Sequence, residues 1–172
     1  MPNHAITQKK TCRGILMTIA PELEFAFSIR LDFPPGPRLR LPLADGYSRG
    51  FVSITGGMVT GPRLEGEVVA GSGGDWPLFR PDGVVVFDAR YILKASDGGT
   101  IHMNNRGYAH AAPQVQRMID RGAEIDPSAN YFRLAPVFET SPGPHDWLNR
   151  FVIIGVGEKH ADHSIFNYFI VQ

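Results

Sequence analysis

Apolar and polar residues alternate along most of the chain. Leu23-Glu24-Phe25-Ala26-Phe27-Ser28-Ile29-Arg30-Leu31 is the clearest stretch, and a period of two marks a strand with one buried face. The β pattern starts at Ile15, and further short strands are expected at 50–54, 63–70, 83–95, 100–109, 130–139, 147–158 and 164–171. Turn signals separate them, notably Gly56-Gly57, Gly71-Ser72-Gly73-Gly74, Asp97-Gly98-Gly99 and Pro142-Gly143-Pro144. One segment reads as a helix: Pro113 to Arg121, entered at a proline and followed by Gly122. The Pro-rich segment Phe33 to Tyr47 reads as a loop, long enough to act as a lid or rim. No βαβ alternation or internal repeat is present, which argues against a parallel Rossmann-type sheet. The expected fold is all-β and mainly antiparallel: a small closed or nearly closed β-barrel of about eight or more strands, with one short helix in an insert. A flexible tail over 1–13 precedes one domain over 14–172.

Composition agrees and removes several function classes. A hydrophobic fraction of 43% supports a packed core, and 17 basic against 17 acidic residues leave no electrostatic footprint for nucleic acid or an anionic membrane. No apolar run approaches the roughly 20 residues of a membrane helix. Gly14–Ala20 follows Lys9, Lys10 and Arg13 but is short for a signal segment, so a cytoplasmic protein is expected. The single Cys12 excludes an intramolecular disulfide and a Cys-rich metal site. Strand edges and zero net charge allow a homodimer.

No phosphate-binding loop and no Gly-x-Ser-x-Gly elbow occurs. His160 and His163, with Asp162 between them, have the spacing of a metal pair, but a solvated turn explains them better, and no metal or other cofactor is expected. Strand parity groups the remaining polar residues, since side chains two apart share a face. Asp88 and Arg90 lie together, opposite Phe87, Tyr91 and Leu93. His102, Asn104 and Arg106 share a face, opposite Ile101, Met103 and Asn105. Tyr131 and Arg133 share a face, with Glu139 in phase, and Trp147 and Asn149 share one with Phe151 and Ile153. A self-satisfying ion pair accounts for Asp88 with Arg90, and a solvent-facing row for His102 with Arg106. Tyr131, Arg133 and Asn149 sit in apolar strands, where a polar group needs a partner or a ligand. Asp75-Trp76, after a glycine run, is either a capped turn or an acid–base group at a pocket rim beside an aromatic wall.

Together these pieces resemble domain-of-unknown-function family 3237, also called uncharacterised protein family 0311. The matching segments are Gly61-Pro62-Arg63-Leu64-Glu65-Gly66, Gly73-Gly74-Asp75-Trp76, Arg80-Pro81-Asp82-Gly83, Asp88-Ala89-Arg90-Tyr91 and Arg106-Gly107. They continue with Tyr131-Phe132-Arg133, Pro136-Val137-Phe138-Glu139-Thr140, Trp147-Leu148-Asn149-Arg150 and Gly155-Val156-Gly157, spanning roughly residues 22–171. The segments 33–47, His102–Asn105 and 109–128 depart from the family pattern. The resemblance implies a small antiparallel barrel with a central pocket, often self-associating. It also implies cofactor-free lyase chemistry on lignin-derived or other aromatic compounds, by decarboxylation or ring-opening elimination.

The resulting expectation is a cofactor-independent lyase acting on a small aromatic, phenolic carboxylic acid or ether. Catalytic candidates are Tyr131, Asp75, Glu139 and His102. Binding candidates are Arg133 for a carboxylate, with Asn149, Trp76, Trp147, Arg106 and Tyr91. The alternatives are an isomerase or cyclase using the same pocket, and a barrel that carries an apolar ligand without chemistry.

Overall fold

The computed structural model describes residues 20–160 and 162–172. The expected tail 1–13, Cys12 and the onset of β pattern at Ile15 lie outside the described residues. The strands are β1 (Leu23–Asp32), β2 (Leu39–Pro42), β3 (Ser48–Ser53), β4 (Gly56–Thr60), β5 (Gly66–Val68), β6 (Gly74–Asp75) and β7 (Leu78–Phe79). They continue with β8 (Val85–Ala95), β9 (Thr100–Ala111), β10 (Asn130–Leu134), β11 (Val137–Thr140), β12 (Ile153–Lys159) and β13 (His163–Val171). One α-helix, α1 (Pro113–Asp120), sits in the insert between β9 and β10. Pro113 opens it and Gly122, at φ +72°, follows its end, as the sequence predicts.

The longest ladder joins β8 to β9, from Val85↔Ala109 to Lys94↔Thr100. Gly98 makes the tight connection between them, at φ +90°, with its N–H donating to the Ala95 carbonyl at 2.8 Å. The strand order is β11-β9-β10-β12-β13-β1-β4-β5-β8-β6-β3-β2, and because β8 also pairs with β9 the wall curls round to meet itself. Two ladders in this wall hold only two residue pairs: Met58↔Glu67 with Val59↔Gly66, and Arg133↔Val156 with Leu134↔Gly155. β3 and β2 extend outward as a flap from β6 and β7. The sheet is therefore barrel-like and mainly antiparallel with one helical insert, and of the expected closed or nearly closed barrel this looser form is what stands. Ladders so short do not sustain the uniform stagger of a true barrel.

Two other expectations change. The 147–158 segment is not one strand: Asp146–Asn149 is a 3-10 turn and β12 begins only at Ile153, so strand parity does not govern Trp147 and Asn149. The Phe33–Tyr47 loop contains the short edge strand β2 and a 3-10 turn at Ala44–Gly46. Pro42 is tolerated there because it ends an edge strand.

The interior has two unlike halves. Towards the β8–β9 turn, Phe27, Ile29, Tyr91, Leu93, Ile101, Met103 and Ile170 pack into a solid core. The 3-10 turn drops Trp147 onto this core, where it meets the Phe27 ring edge-on at 6.4 Å. Towards α1 the interior opens into a cavity. No helix among the described residues is long and apolar enough to cross a membrane.

Candidate functional site

The open half holds a cavity of about 570 Å³, within the range of roughly 300–1,000 Å³ usual for small-molecule sites. Its inner wall is largely apolar: Leu31, Phe87, Ala89, Ala109, Phe132, Leu134 and Phe166. Phe87 stacks on Phe132 with centroids 4.6 Å apart, and Phe166 meets Phe132 edge-on at 5.5 Å. Phe132 lies flat against the β12 backbone because residue 157 is glycine; a Cβ there would stand 2.7 Å from the ring. Arg38 and Arg40 from the Pro-rich segment, Arg80, Lys159, and Gln116 and Ile119 of α1 form the mouth. The guanidinium of Arg38 lies over Phe33 and that of Arg40 over Phe79, at 4.6 and 3.5 Å from the ring centroids. The predicted rim segment is thus a rim, and α1 is its counterpart across the opening.

Register places the polar groups of the inner wall. Asp75 pairs with Ala89 across β6–β8, and Ala89 pairs with Asn105 across β8–β9. All three side chains line the cavity, so a carboxyl and an amide face it with one methyl group between them. Asp75 is 8% exposed and accepts a hydrogen bond from the Asp88 N–H at 3.1 Å. Burial pushes its pKa from 3.8 up to about 6, against the favourable pull of that N–H. The nearby Asp88 carboxylate pushes the same way as burial, while Arg38 pulls it down. A carboxyl held in this range is populated in both protonation states near neutrality.

The cavity floor is a second polar cluster. Asn105 is 2% exposed, and the Tyr91 and Tyr168 side chains below it are wholly buried. The Asn105 amide and the two phenols lie within hydrogen-bonding influence of one another, and burial raises both phenols far above the ordinary tyrosine range. Yet Asn105 Oδ1 and both tyrosine hydroxyls make no hydrogen bond of normal geometry.

Among the sequence candidates, Asp75 alone lines this cavity. Tyr91 lies under its floor. Tyr131, Arg133 and Glu139 keep the expected common phase, but that phase faces outward, because Asn130, Phe132 and Leu134 occupy the inward one. On the outer surface Tyr131 stacks on His110 at 4.8 Å and Arg133 lies over the Tyr131 ring. His102 and Glu139 are cross-strand partners there, 3.4 Å apart. Arg106 and Arg90 flank Asp88 at 4.0 and 3.5 Å on the same outer face. Trp76 is half exposed and stacks on Phe51 outside the wall. Trp147 belongs to the core plug, and Asn149 is exposed, donating to the Thr140 carbonyl at 3.2 Å. Apart from Tyr91, these side chains do not converge with Asp75: the strand residues among them sit in the outward phase, since a strand's alternation carries no label for which phase faces in.

Polar lining residues not singled out by the sequence include Asn105, Arg38, Arg40, Asn130, Lys159 and Ser164. Asn105 carried a usable signal, a polar residue in phase with Ile101 and Met103. Among the described residues no group of three or more His, Cys, Asp or Glu side chains is arranged to hold a metal ion. The His160 and His163 rings stack in parallel at 4.4 Å, and His163 bonds Asp162 at 2.7 Å, so the pair does not converge on a common point.

Comparison with known proteins agrees with this architecture. The model of the family described as "Protein of unknown function (DUF3237)" matches residues 21–171. A UPF0311 protein of Rhodopseudomonas palustris is 31% identical over 117 residues, covering 68% of this chain and 76% of that protein. The crystal structure of the conserved R. palustris protein of unknown function superposes with a TM-score of 0.82 at 29% identity, over 91% of this chain and all of that one. A β-barrel-like protein of Acinetobacter baumannii gives a TM-score of 0.76 at 28% identity, over 90% of this chain and 98% of that one. A relative in Penicillium herquei, the hydroalkoxylation enzyme phnH, is 26% identical over 152 residues, covering 88% of this chain and 85% of it. The strand order, the lumen and the family match over nearly the whole chain lead to one conclusion: this protein belongs to the DUF3237 (UPF0311) family.

Proposed function

We propose that this protein is a cofactor-independent acid–base enzyme that makes or breaks a carbon–oxygen bond in a small phenolic ligand held in the lumen. The observation that carries the reading is Asp75, a buried carboxyl with a pKa raised to about 6, on the wall of an aromatic-lined cavity. Its neutral acid donates a proton to one carbon of a ligand double bond. A hydroxyl oxygen of the same ligand bonds to the other carbon, and its proton returns to the carboxylate. The π bond and the O–H bond are lost, a C–O and a C–H bond are gained, and Asp75 ends as it began. Run backwards, the same path opens a cyclic ether by elimination. The name of the P. herquei relative, a hydroalkoxylation enzyme, supports the forward direction.

Decarboxylation fits less well. It needs a second anion desolvated beside Asp75, where burial and Asp88 already disfavour one. The cytoplasm and a homodimeric state belong to the same proposal, and sedimentation of a monomer at working concentration removes the dimer.

The test is to incubate purified protein, with chelator, against lignin-type phenols bearing an alkenyl side chain and the matching cyclic ethers, following masses by chromatography. An isomer of unchanged mass is the expected product. A product lighter by carbon dioxide replaces this reading with a decarboxylase. Compounds that bind yet return intact replace it with a carrier.

A further inference from the structure

Asn105 sits where the hollow half of the interior meets the packed half. Above it lie the apolar walls, and below it the Tyr91 and Tyr168 rings close the way to the core. The Asn105 amide oxygen and the two tyrosine hydroxyls are buried against one another without a hydrogen bond of normal geometry, and such underused buried polar groups are costly. All three belong to one cluster, and Asn105 faces the cavity. The cationic side chains of the lining, Arg38, Arg40, Arg80 and Lys159, come from the rim segment and the strand ends near α1, away from this floor.

We propose that Asn105, backed by the Tyr91 and Tyr168 hydroxyls, is the seat for an un-ionised hydroxyl at the inner end of the ligand. The Asn105 amide, which lines the cavity, hydrogen-bonds the ligand's hydroxyl, and its oxygen, turned away from the cavity, lies against the tyrosine hydroxyls. A carboxylate is refused there: the seat offers no counter-charge, and Asp75 stands across Ala89 in the same row. A charged group on the ligand is directed instead to Arg38 at the mouth. The seat rests on the lumen placement that the proposed function also needs, but it concerns binding and not proton transfer.

The probes are 3-(4-hydroxyphenyl)propionate and 3-phenylpropionate, which share a carboxylate and differ by one hydroxyl. Their affinities for the wild type and Asn105→Leu are measured by titration calorimetry at pH 7.5. The wild type is expected to favour the hydroxylated probe by about tenfold, and Asn105→Leu, close in volume, to bind both equally. Should Asn105→Leu not fold, Tyr168→Phe keeps the ring and its packing and is expected to weaken the preference. Equal affinities in the wild type, no measurable binding of the hydroxylated probe, or a preference that survives intact in the variant overturns the seat. Calorimetry reads binding without turnover, so the seat fails or stands independently of whether Asp75 moves a proton.

Discussion

Asp75 and Asn105 flank Ala89 in one row across β6, β8 and β9, so a titratable carboxyl and a neutral amide face the same lumen over a single methyl group. Sheet register produces this juxtaposition: residues far apart in sequence become lateral neighbours, spaced by roughly 4.8 Å per strand. The methyl leaves room for a flat ligand between the two polar groups. A larger residue at 89 closes that space.

Burial of the Asp75 carboxyl costs stability wherever the group is ionised. Its folded pKa is raised, so the folded state binds the proton more tightly than the unfolded chain does. The stability of this group is fully present below about pH 4 and is lost as pH rises through about 6. Moving a carboxyl from 3.8 to about 6 corresponds to on the order of 3 kcal/mol above that range. Asp75→Asn keeps an acceptor for the Asp88 N–H and carries no charge. Chemical denaturation at pH 8 is expected to find it more stable than the wild type by up to about 3 kcal/mol, with the gap closing towards pH 4.

Arg38 tunes the same carboxyl from the rim, favouring its charged form. Arg38→Ala is therefore expected to move the pH limb assigned to Asp75 upward from about 6, so that activity extends to higher pH. A pH–rate profile checks this. An unmoved limb means that another group titrates in it.

The outer polar row is expected to be dispensable for the proposed chemistry. Tyr131, Arg133, His102 and Glu139 pair with their neighbours on the surface and do not line the cavity. Tyr131→Phe, Arg133→Ala and Glu139→Gln are each expected to keep turnover within about twofold and stability within roughly 1 kcal/mol. Steady-state kinetics and thermal unfolding read both quantities.

Gly157 supports the aromatic wall. A Cβ at this position meets the Phe132 ring at 2.7–2.9 Å, and Phe132 already packs on Phe87 and Phe166. Gly157→Ala is expected to cost about 1–3 kcal/mol by overpacking. It also drives Phe132 into the lumen, so ligand affinity falls together with melting temperature.

Much of the fold was legible, and less of the site. The alternation in 83–95 and 100–109 has one phase that is clearly more apolar, and the structure buries it: Phe87, Ala89, Tyr91 and Leu93, then Ile101, Met103 and Asn105. In Tyr131-Phe132-Arg133-Leu134 an aromatic residue stands in each phase, and only the tertiary context sends Phe132 inward. Trp147 was misplaced for another reason. The 3-10 turn before β12 shifts the phase, and the aromatic residue there seals the core end and lines no pocket. Asp75 was found because a glycine run ends at it; the two-residue strand that buries it depends on the partner β8, which no local pattern announces.

The most direct test of the central claim is turnover in D2O by the wild type and by Asp75→Asn, using the phenol that the wild type converts. The account predicts a wild-type product carrying one carbon-bound deuterium, delivered from the Asp75 carboxyl. It also predicts a loss of at least about 10²-fold in rate for the variant, the scale of a removed proton-transfer group. Turnover by Asp75→Asn at the wild-type rate, or a product without carbon-bound deuterium, contradicts the account.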